Sequence, residues 1–169
     1  MTFDAIIALG SNIGDKRANI AAALAMLVES GEVRIVARSR DFKTPPWGKT
    51  DQPWFVNACA GVETSLAPRP LLQHCLAIER RLGRIREEKW GPRIIDLDVL
   101  VHRAGAVDEP DLVLPHPRIS ERAFVLAPLA DIAPALVLNG RSIVDWLDGI
   151  DQTGVEPFDD GDAPSSVGG

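Results

Sequence analysis

The 169-residue sequence predicts an α+β fold built as one domain, and three observations support this prediction. Short apolar runs with the two-residue periodicity of strands alternate with two segments of helical periodicity. The composition, 46% hydrophobic and 25% charged, is that of an ordinary globular protein. A chain of this length buries one sizeable core, whereas two full domains would be cramped.

The first part of the chain predicts a strand, a helix and a second strand. Residues 3–9 form a short apolar run that turn residues terminate at Gly10. From Asp15 the apolar residues recur at helical spacing until a Ser-Gly pair ends the helix. Residues 33–42 alternate between apolar and mostly basic side chains, which predicts a half-buried strand with a basic outer face.

The next part of the chain predicts another strand, a second helix and a further strand. A proline-bearing loop over 44–53 precedes a strand at 55–64. Pro68 and Pro70 fit the first turn of a second helix, where a missing N–H costs nothing. Residues 94–101 form the clearest strand. The resulting order indicates a ferredoxin-like βαββαβ core with an antiparallel sheet.

The last third of the chain predicts extra C-terminal helices and a tail. Residues 119–129 and 142–150 are short helix candidates. Residues 151–169 are dominated by Gly, Pro, Ser and Asp, and we expect a disordered tail there with no packed core. The domain is therefore expected to span residues 1–150.

Charge and hydropathy exclude several classes of protein. The net charge is −6, but the tail holds five acids and no base, so the body is nearly neutral and unlike a general nucleic-acid binder. The longest apolar run, residues 20–28, is too short to span a bilayer, and Asp4 stands where a signal peptide would be basic. Cys59 and Cys75 lie in apolar segments, which favours reduced buried thiols and a cytoplasmic location.

The candidate chemistry begins with a pair of carboxylates in the strand at 94–101. The two-residue period sends Ile95, Leu97, Val99 and Val101 to one face and Asp96 and Asp98 to the other. Two carboxylates on one face repel each other, and a bound cation such as Mg²⁺ would relieve that repulsion. The alternative is that both aspartates simply lie on the solvated face of the sheet.

A basic segment directly precedes these carboxylates. Residues 80–93 carry six Lys and Arg against two Glu, a net of +4. Complementing the helix dipole would explain Arg80 and Arg81, but not Lys89 and Arg93 beyond the helix end. A cationic loop leading to two carboxylates is typical of a site for a metal-chelated polyphosphate.

Four ordered sequence blocks resemble one known family. They read LGSN at 9–12, TPP at 44–46 with QPWFVN at 52–57, KWGPRIIDLDVL at 89–100, and LPHP at 114–117 followed by Arg122 and Phe124. Together they resemble the signature of the 6-hydroxymethyl-7,8-dihydropterin pyrophosphokinases of the folate pathway, over about residues 3–138. The resemblance implies transfer of the β,γ-pyrophosphoryl group of ATP to the pterin hydroxymethyl oxygen, with release of AMP.

The resemblance also implies roles for individual residues. Asp96 and Asp98 would hold two Mg²⁺ ions on the triphosphate and, with Arg84 and Arg93, form the catalytic set. The implied ATP contacts are Glu79, Arg84, Arg93, His116 and Arg122. The implied pterin contacts are Thr44, Pro45, Phe55, Asn57, Trp90 and Phe124.

Some of these assignments have alternatives in the sequence itself. Phe55 and Phe124 could be ordinary core residues, and Glu79 could be a surface charge of the second helix. Glu87 and Glu88 stand where some relatives have a basic contact. We expect the loop at 83–92 to close over the substrates and to place Trp90 and Arg84.

Two other functions compete with the pyrophosphokinase interpretation. A nucleotidyltransferase would use the same aspartate pair but release pyrophosphate. A non-catalytic nucleic-acid-binding module would use the basic strand face and residues 80–93, but would leave Asp96 and Asp98 facing phosphate. The resemblance implies ATP and a reduced pterin as partners. We further expect no nucleic acid, no membrane and a monomer.

Overall fold

A six-stranded antiparallel sheet forms the centre of the structure, a computed structural model that describes residues 2–45, 53–83 and 94–158. In chain order the elements are β1 (Ala5–Ser11), α1 (Lys16–Glu29), β2 (Val33–Arg38), β3 (Phe42–Thr44), β4 (Phe55–Thr64), α2 (Pro68–Arg81), β5 (Asp96–His102), β6 (Val107–Glu109), β7 (Leu112–Leu114), a 3₁₀ turn (Ile119–Glu121), α3 (Ala123–Ile132), β8 (Val137–Leu138), β9 (Arg141–Ser142), α4 (Ile143–Asp148) and β10 (Glu156–Pro157). The predicted mixture of helices and antiparallel strands is confirmed.

The strands of the main sheet follow the order β10-β3-β4-β1-β5, and β2 pairs with the far end of β4. β4 is therefore the longest strand, because β2 and β3 occupy its two halves on the same side. β6 with β7 and β8 with β9 form two small hairpins outside this sheet. Neither hairpin was predicted from the sequence.

The predicted single strand at 33–42 is wrong, because the chain breaks its pairing between β2 and β3. The Ser39 hydroxyl accepts a hydrogen bond from the Cys59 N–H at 2.8 Å, which substitutes for a ladder bond at the break. Asp41 is 5% exposed and binds both Arg17 and Arg38 through its two oxygens, at 2.8 and 2.9 Å. These side-chain bonds stabilise the bend between β2 and β3. β3 then pairs with the opposite end of β4 from β2.

The two helices α1 and α2 cover one face of the sheet. α1 starts where the helical pattern was predicted to begin, and Asp15 caps it, since its carboxylate accepts from the Ala18 N–H at 3.1 Å. Pro68 occupies the first turn of α2, also as predicted. Their apolar stripes pack with Leu97 and other core residues of β5, and Cys75 lies in this layer.

The opposite face is covered by α3 and α4, and Cys59 lies in this second layer. Leu126 and Leu129 of α3 are fully buried here. Val101 also packs in this layer, so its predicted place beside Leu97 is wrong. The pairing of β1 with β5 shifts register between Ile6 and Ile7, which interrupts the alternation of side chains along β5.

The prediction of a tail without packing from residue 151 onward is wrong for residues 151–158. β10 pairs with β3, matching Glu156 with Lys43 and Pro157 with Phe42. Phe158 packs against the first core layer. Pro157 has no N–H, and it lies in an outermost strand, where a sheet tolerates proline. Residues 159–169 lie outside the described residues.

The remaining predicted helices are present with altered bounds. The candidate at 119–129 is a 3₁₀ turn followed by α3, and the candidate at 142–150 is the shorter α4. Within the part of the chain that the structure describes, no helix has the length and apolar character needed to cross a bilayer.

Candidate active site

Three neighbouring strands bring one amide, one glycine and one carboxylate into a single row. Gly10 of β1 lies opposite Asn57 of β4 on one side and opposite Asp96 of β5 on the other. The backbones of Asn57 and Asp96 are therefore two strand spacings apart, about 10 Å. In the next row on the same face, Ala8 lies opposite Asp98. The row thus connects a candidate pterin contact to the candidate metal ligands.

The predicted direction of the two aspartates is confirmed by the burial along β5. Leu97 and Val99 are 2% and 4% exposed and belong to the first core layer. Asp96 is half-buried and Asp98 is exposed on the opposite face. Two carboxylates that leave one face of the same strand can ligate one cation or two adjacent ones.

Gly10 makes room for Asn57. A Cβ at this position would lie 2.7 Å from Asn57 Oδ1 and 3.9 Å from the Phe55 ring. The Asn57 amide donates to Thr44 Oγ1 at 2.7 Å, and Thr44 lies opposite Phe55 in the pairing of β3 with β4. Thr44 of β3 and Phe55 and Asn57 of β4 therefore lie together beside Gly10 of β1, and all three are among the expected pterin contacts.

His116 follows the β6–β7 hairpin and is held by the backbone of β5. Its N–H donates to the Leu100 carbonyl at 2.8 Å, and its Nδ1 accepts from the Arg118 N–H at 3.2 Å. Burial lowers the pKa of His116, Arg122 and Arg118 lower it further, and the charge of Asp98 opposes them. His116 and Arg122 thus lie within electrostatic reach of the predicted metal ligands.

Arg122 is a half-buried cation whose Nε has no hydrogen-bond partner among the described residues. Burial lowers the pKa of its guanidinium, and Asp98 acts in the opposite direction. Its Cζ lies 5.5 Å from the centroid of the Phe124 ring. A buried N–H without a partner is costly, and a phosphate oxygen would satisfy it.

Glu79 is buried, so the alternative of a surface charge on the second helix is wrong. It is 4% exposed, and its Oε2 accepts from the Leu97 N–H at 2.7 Å. Leu97 stands between Asp96 and Asp98, so this bond fixes the segment that carries both carboxylates. The sequence contained a signal for this position, because Glu79 follows Cys75 by four residues and shares its buried helix face.

We expect Glu79→Ala to lower the free energy of unfolding by about 2 kcal/mol, because it leaves the buried Leu97 N–H without this charged acceptor. Glu79→Gln keeps an acceptor oxygen and should lose less. Denaturant unfolding of both variants measures the difference, and Gln73→Ala, at an exposed position of α2, is the matched control. Equal stability of Glu79→Ala and the wild type would contradict the role of this bond.

Three predicted site residues, Arg84, Trp90 and Arg93, lie outside the described residues, as do residues 84–92 of the predicted loop at 83–92. Pro45 is exposed directly after β3. Among residues 2–45, 53–83 and 94–158, no three His, Cys, Asp or Glu side chains form a group that could hold a metal ion.

Paired carboxylates near a histidine and an arginine whose Nε has no partner among the described residues are typical of enzymes that bind a metal-chelated polyphosphate. The sequence profile of the 7,8-dihydro-6-hydroxymethylpterin-pyrophosphokinases (HPPK) matches residues 6–134. The chain belongs to this family.

Full-length relatives support the same assignment. The chain is 52% identical over 152 residues to the 2-amino-4-hydroxy-6-hydroxymethyldihydropteridine pyrophosphokinase of Methylorubrum extorquens, covering 90% of this chain and 96% of the relative. It is 44% identical to the enzyme of that name from Pseudomonas aeruginosa, covering 89% and 93%, and 40% identical to that from Bacillus subtilis, covering 91% and 95%.

Solved structures of this family share the fold. A crystal structure of an HPPK-DHPS in complex with substrates matches with a TM-score of 0.70 at 13% identity, covering 85% of this chain and 42% of that one. The Plasmodium falciparum HPPK-DHPS matches with a TM-score of 0.64 at 17% identity, covering 85% and 43%. This chain thus spans less than half the length of those chains.

Proposed function

We propose that this protein transfers the β,γ-pyrophosphoryl group of ATP to the hydroxymethyl oxygen of 6-hydroxymethyl-7,8-dihydropterin and releases AMP, as a step of folate biosynthesis. Family membership and the names of the full-length relatives support this function. The observation that carries it is the row Asn57–Gly10–Asp96. The backbone of Asn57, whose amide suits a pterin edge, is about 10 Å from the backbone of Asp96 in this row.

The pterin binds at the β3–β4 end of this row. Asn57 and Thr44 offer hydrogen-bonding groups to the aminopyrimidinone edge, and Phe55 and Phe124 offer flat faces to the bicycle. Both rings are half-buried, which leaves part of each accessible to a ligand. Pro45 and Trp90 complete the proposed pterin contacts.

ATP binds at the β5 end of the row. Asp96 and Asp98 would hold two Mg²⁺ ions, which would neutralise charge on the triphosphate. Arg122 donates its Nε–H, which has no partner among the described residues, to a phosphate oxygen. His116, whose pKa the charge of Arg122 lowers, and Glu79, which accepts from the Leu97 N–H between the two aspartates, complete the proposed ATP set. We include Arg84 and Arg93 in this set and in the catalytic set, on the resemblance alone.

Alignment and charge neutralisation perform most of the catalysis. The pterin hydroxymethyl oxygen attacks the β-phosphorus of ATP, the bond from that phosphorus to the bridging α,β-oxygen breaks, and AMP leaves. Asp98, besides ligating metal, receives the hydroxymethyl proton in our proposal. Its exposed position at the open face of β5 suits a group that meets both substrates.

We expect the protein, incubated with ATP, Mg²⁺ and the pterin, to yield AMP and pterin pyrophosphate in equal amounts by mass spectrometry. A reaction without Mg²⁺ and with a chelator is the control. Free pyrophosphate with a nucleotidyl product would instead support the nucleotidyltransferase. Binding to nucleic acid that weakens steeply with salt and needs no Mg²⁺ would support the binding module.

We also propose a ferredoxin-like core for residues 2–158, formed by β1, α1, β2, β4, α2 and β5. Its support is the order β2-β4-β1-β5 among these strands, with both helices on one face. We propose that this unit is one pyrophosphokinase domain and a cytoplasmic monomer. The two buried free thiols, Cys59 and Cys75, are consistent with a reducing compartment.

A further inference from the structure

We propose that residues 154–158, which we name the C-terminal brace, position the pterin-binding end of the site. The inference rests on the proposed function and concerns a segment that the sequence predicted to be disordered. Its basis is that the brace contacts β3, Pro45 and Trp54 together, and these flank the residues that would bind the pterin.

The backbone of the brace completes the sheet beside β3. β3 has three residues and lies between β4 and β10. β10 pairs with Phe42 and Lys43, and the Phe158 N–H donates to the Asp41 carbonyl at 3.0 Å. Without this pairing β3 would be a three-residue edge strand, and so short an edge is prone to local opening.

The Phe158 side chain connects both segments that lead into the pterin site. Its ring centroid lies 5.9 Å from that of Trp54, which directly precedes Phe55. The Lys43 ammonium lies 5.4 Å from the ring centroid, and the Arg17 guanidinium lies 4.7 Å from it. One aromatic ring therefore holds the residue before Thr44 and the residue before Phe55.

The brace also passes close beside Pro45, which is itself a proposed pterin contact. A Cβ placed on Gly154 would lie 3.3 Å from Cδ and Cγ of Pro45, and Gly154 has a φ of +82°. The chain therefore passes close beside Pro45 in a conformation that favours glycine. Pro45 follows Thr44, whose hydroxyl accepts the hydrogen bond from Asn57.

These contacts predict an effect on one substrate and not on the other. The brace touches β3 and its surroundings, whereas Asp96 and Asp98 lie on β5, separated from β3 by β4 and β1. A displaced β3 moves Thr44 and releases Asn57 without moving β5. A brace that only stabilised the domain would change the KM values of both substrates together, or of neither.

The test is Phe158→Ala in the full chain, assayed for the KM of each substrate with the other saturating. We expect the pterin KM to rise about tenfold and the ATP KM to stay within about twofold, because a small misplacement of binding groups weakens only the ligand they contact. Phe158→Tyr keeps the aromatic ring and should restore the pterin KM. Leu147→Ala, in α4 within the other core layer, is the matched control for a loss of packing.

A second variant tests the same inference if Phe158→Ala folds poorly. Gly154→Ala places a Cβ 3.3 Å from Pro45 and leaves Phe158 intact. It should also raise the pterin KM. An unchanged pterin KM in both variants, or equal rises for both substrates, would overturn the inference. If the wild type forms no AMP from ATP and the pterin, the proposed function fails instead, so the two failures are distinguishable.

Discussion

Asp98→Asn is expected to lower kcat about a thousandfold, the largest effect of any substitution considered in this protein. Asparagine keeps the size of the side chain but removes one of the two charges that would hold Mg²⁺ on the triphosphate. Asp98 is exposed, so the free energy of unfolding should change by less than about 0.5 kcal/mol. Steady-state turnover over a Mg²⁺ titration, with parallel thermal unfolding, measures both quantities.

Asp108→Asn is the matched control, because Asp108 is an exposed carboxylate in the β6–β7 hairpin. It should keep normal turnover. Wild-type turnover in Asp98→Asn would contradict the assignment of Asp98 to the metal site. If that variant still binds two Mg²⁺ ions and keeps its turnover, the proposed transfer of the hydroxymethyl proton to Asp98 is excluded as well.

Gly10→Ala is expected to raise the pterin KM about a hundredfold while costing about 1 kcal/mol of stability or less. The new Cβ would lie 2.7 Å from Asn57 Oδ1, so the Asn57 side chain must turn away. Turning breaks its bond to Thr44 and withdraws the amide from the pterin edge. Because the displaced atom is at the end of a rotatable side chain, the free energy of unfolding should fall less than pterin binding does.

Gly61→Ala is the matched control for this substitution. Gly61 also lies in the central sheet, and a Cβ there would lie 2.8 Å from the Phe3 ring. It should lower the thermal midpoint and leave the pterin KM unchanged. Steady-state kinetics with the pterin varied at saturating ATP, beside calorimetry of both variants, separates the two effects. An unchanged pterin KM in Gly10→Ala would show that the Asn57 side chain does not bind the pterin.

Elements with strong local patterning could be predicted from the sequence alone. β4 matches the predicted strand at 55–64, and α1 begins after its Asp15 cap. The errors arise where a distant contact overrides the local pattern. The strand at 33–42 breaks because Ser39 bonds to Cys59 and Asp41 bonds to Arg17, and neither partner is near in sequence.

The brace was missed for the same physical reason. A two-residue strand has no periodicity to detect, and Phe158 gains its order from Trp54 and Arg17, more than one hundred residues earlier in the chain. Composition then favoured disorder, because the surrounding residues are polar and small. Tertiary pairing decides the structure of such a segment.

The candidate site was predictable in its residue types and less so in their roles. The alternation along β5 was sufficient to place Asp96 and Asp98 on one face. The bond between Glu79 and Leu97 could not be deduced, because it depends on how α2 packs beside the edge of the sheet. The roles of Arg84, Trp90 and Arg93 stay predictions.

The two core layers each contain one thiol, and this gives the protein a pair of internal reporters. Burial raises the pKa of Cys75 to about 12, and burial raises that of Cys59 still further, so neither is a reactive thiolate in the folded protein. Cys75 becomes available to an alkylating reagent when the α1–α2 layer opens, and Cys59 when the α3–α4 layer opens. Alkylation rates resolved by peptide mass therefore separate the opening of one side of the sheet from that of the other without any introduced label.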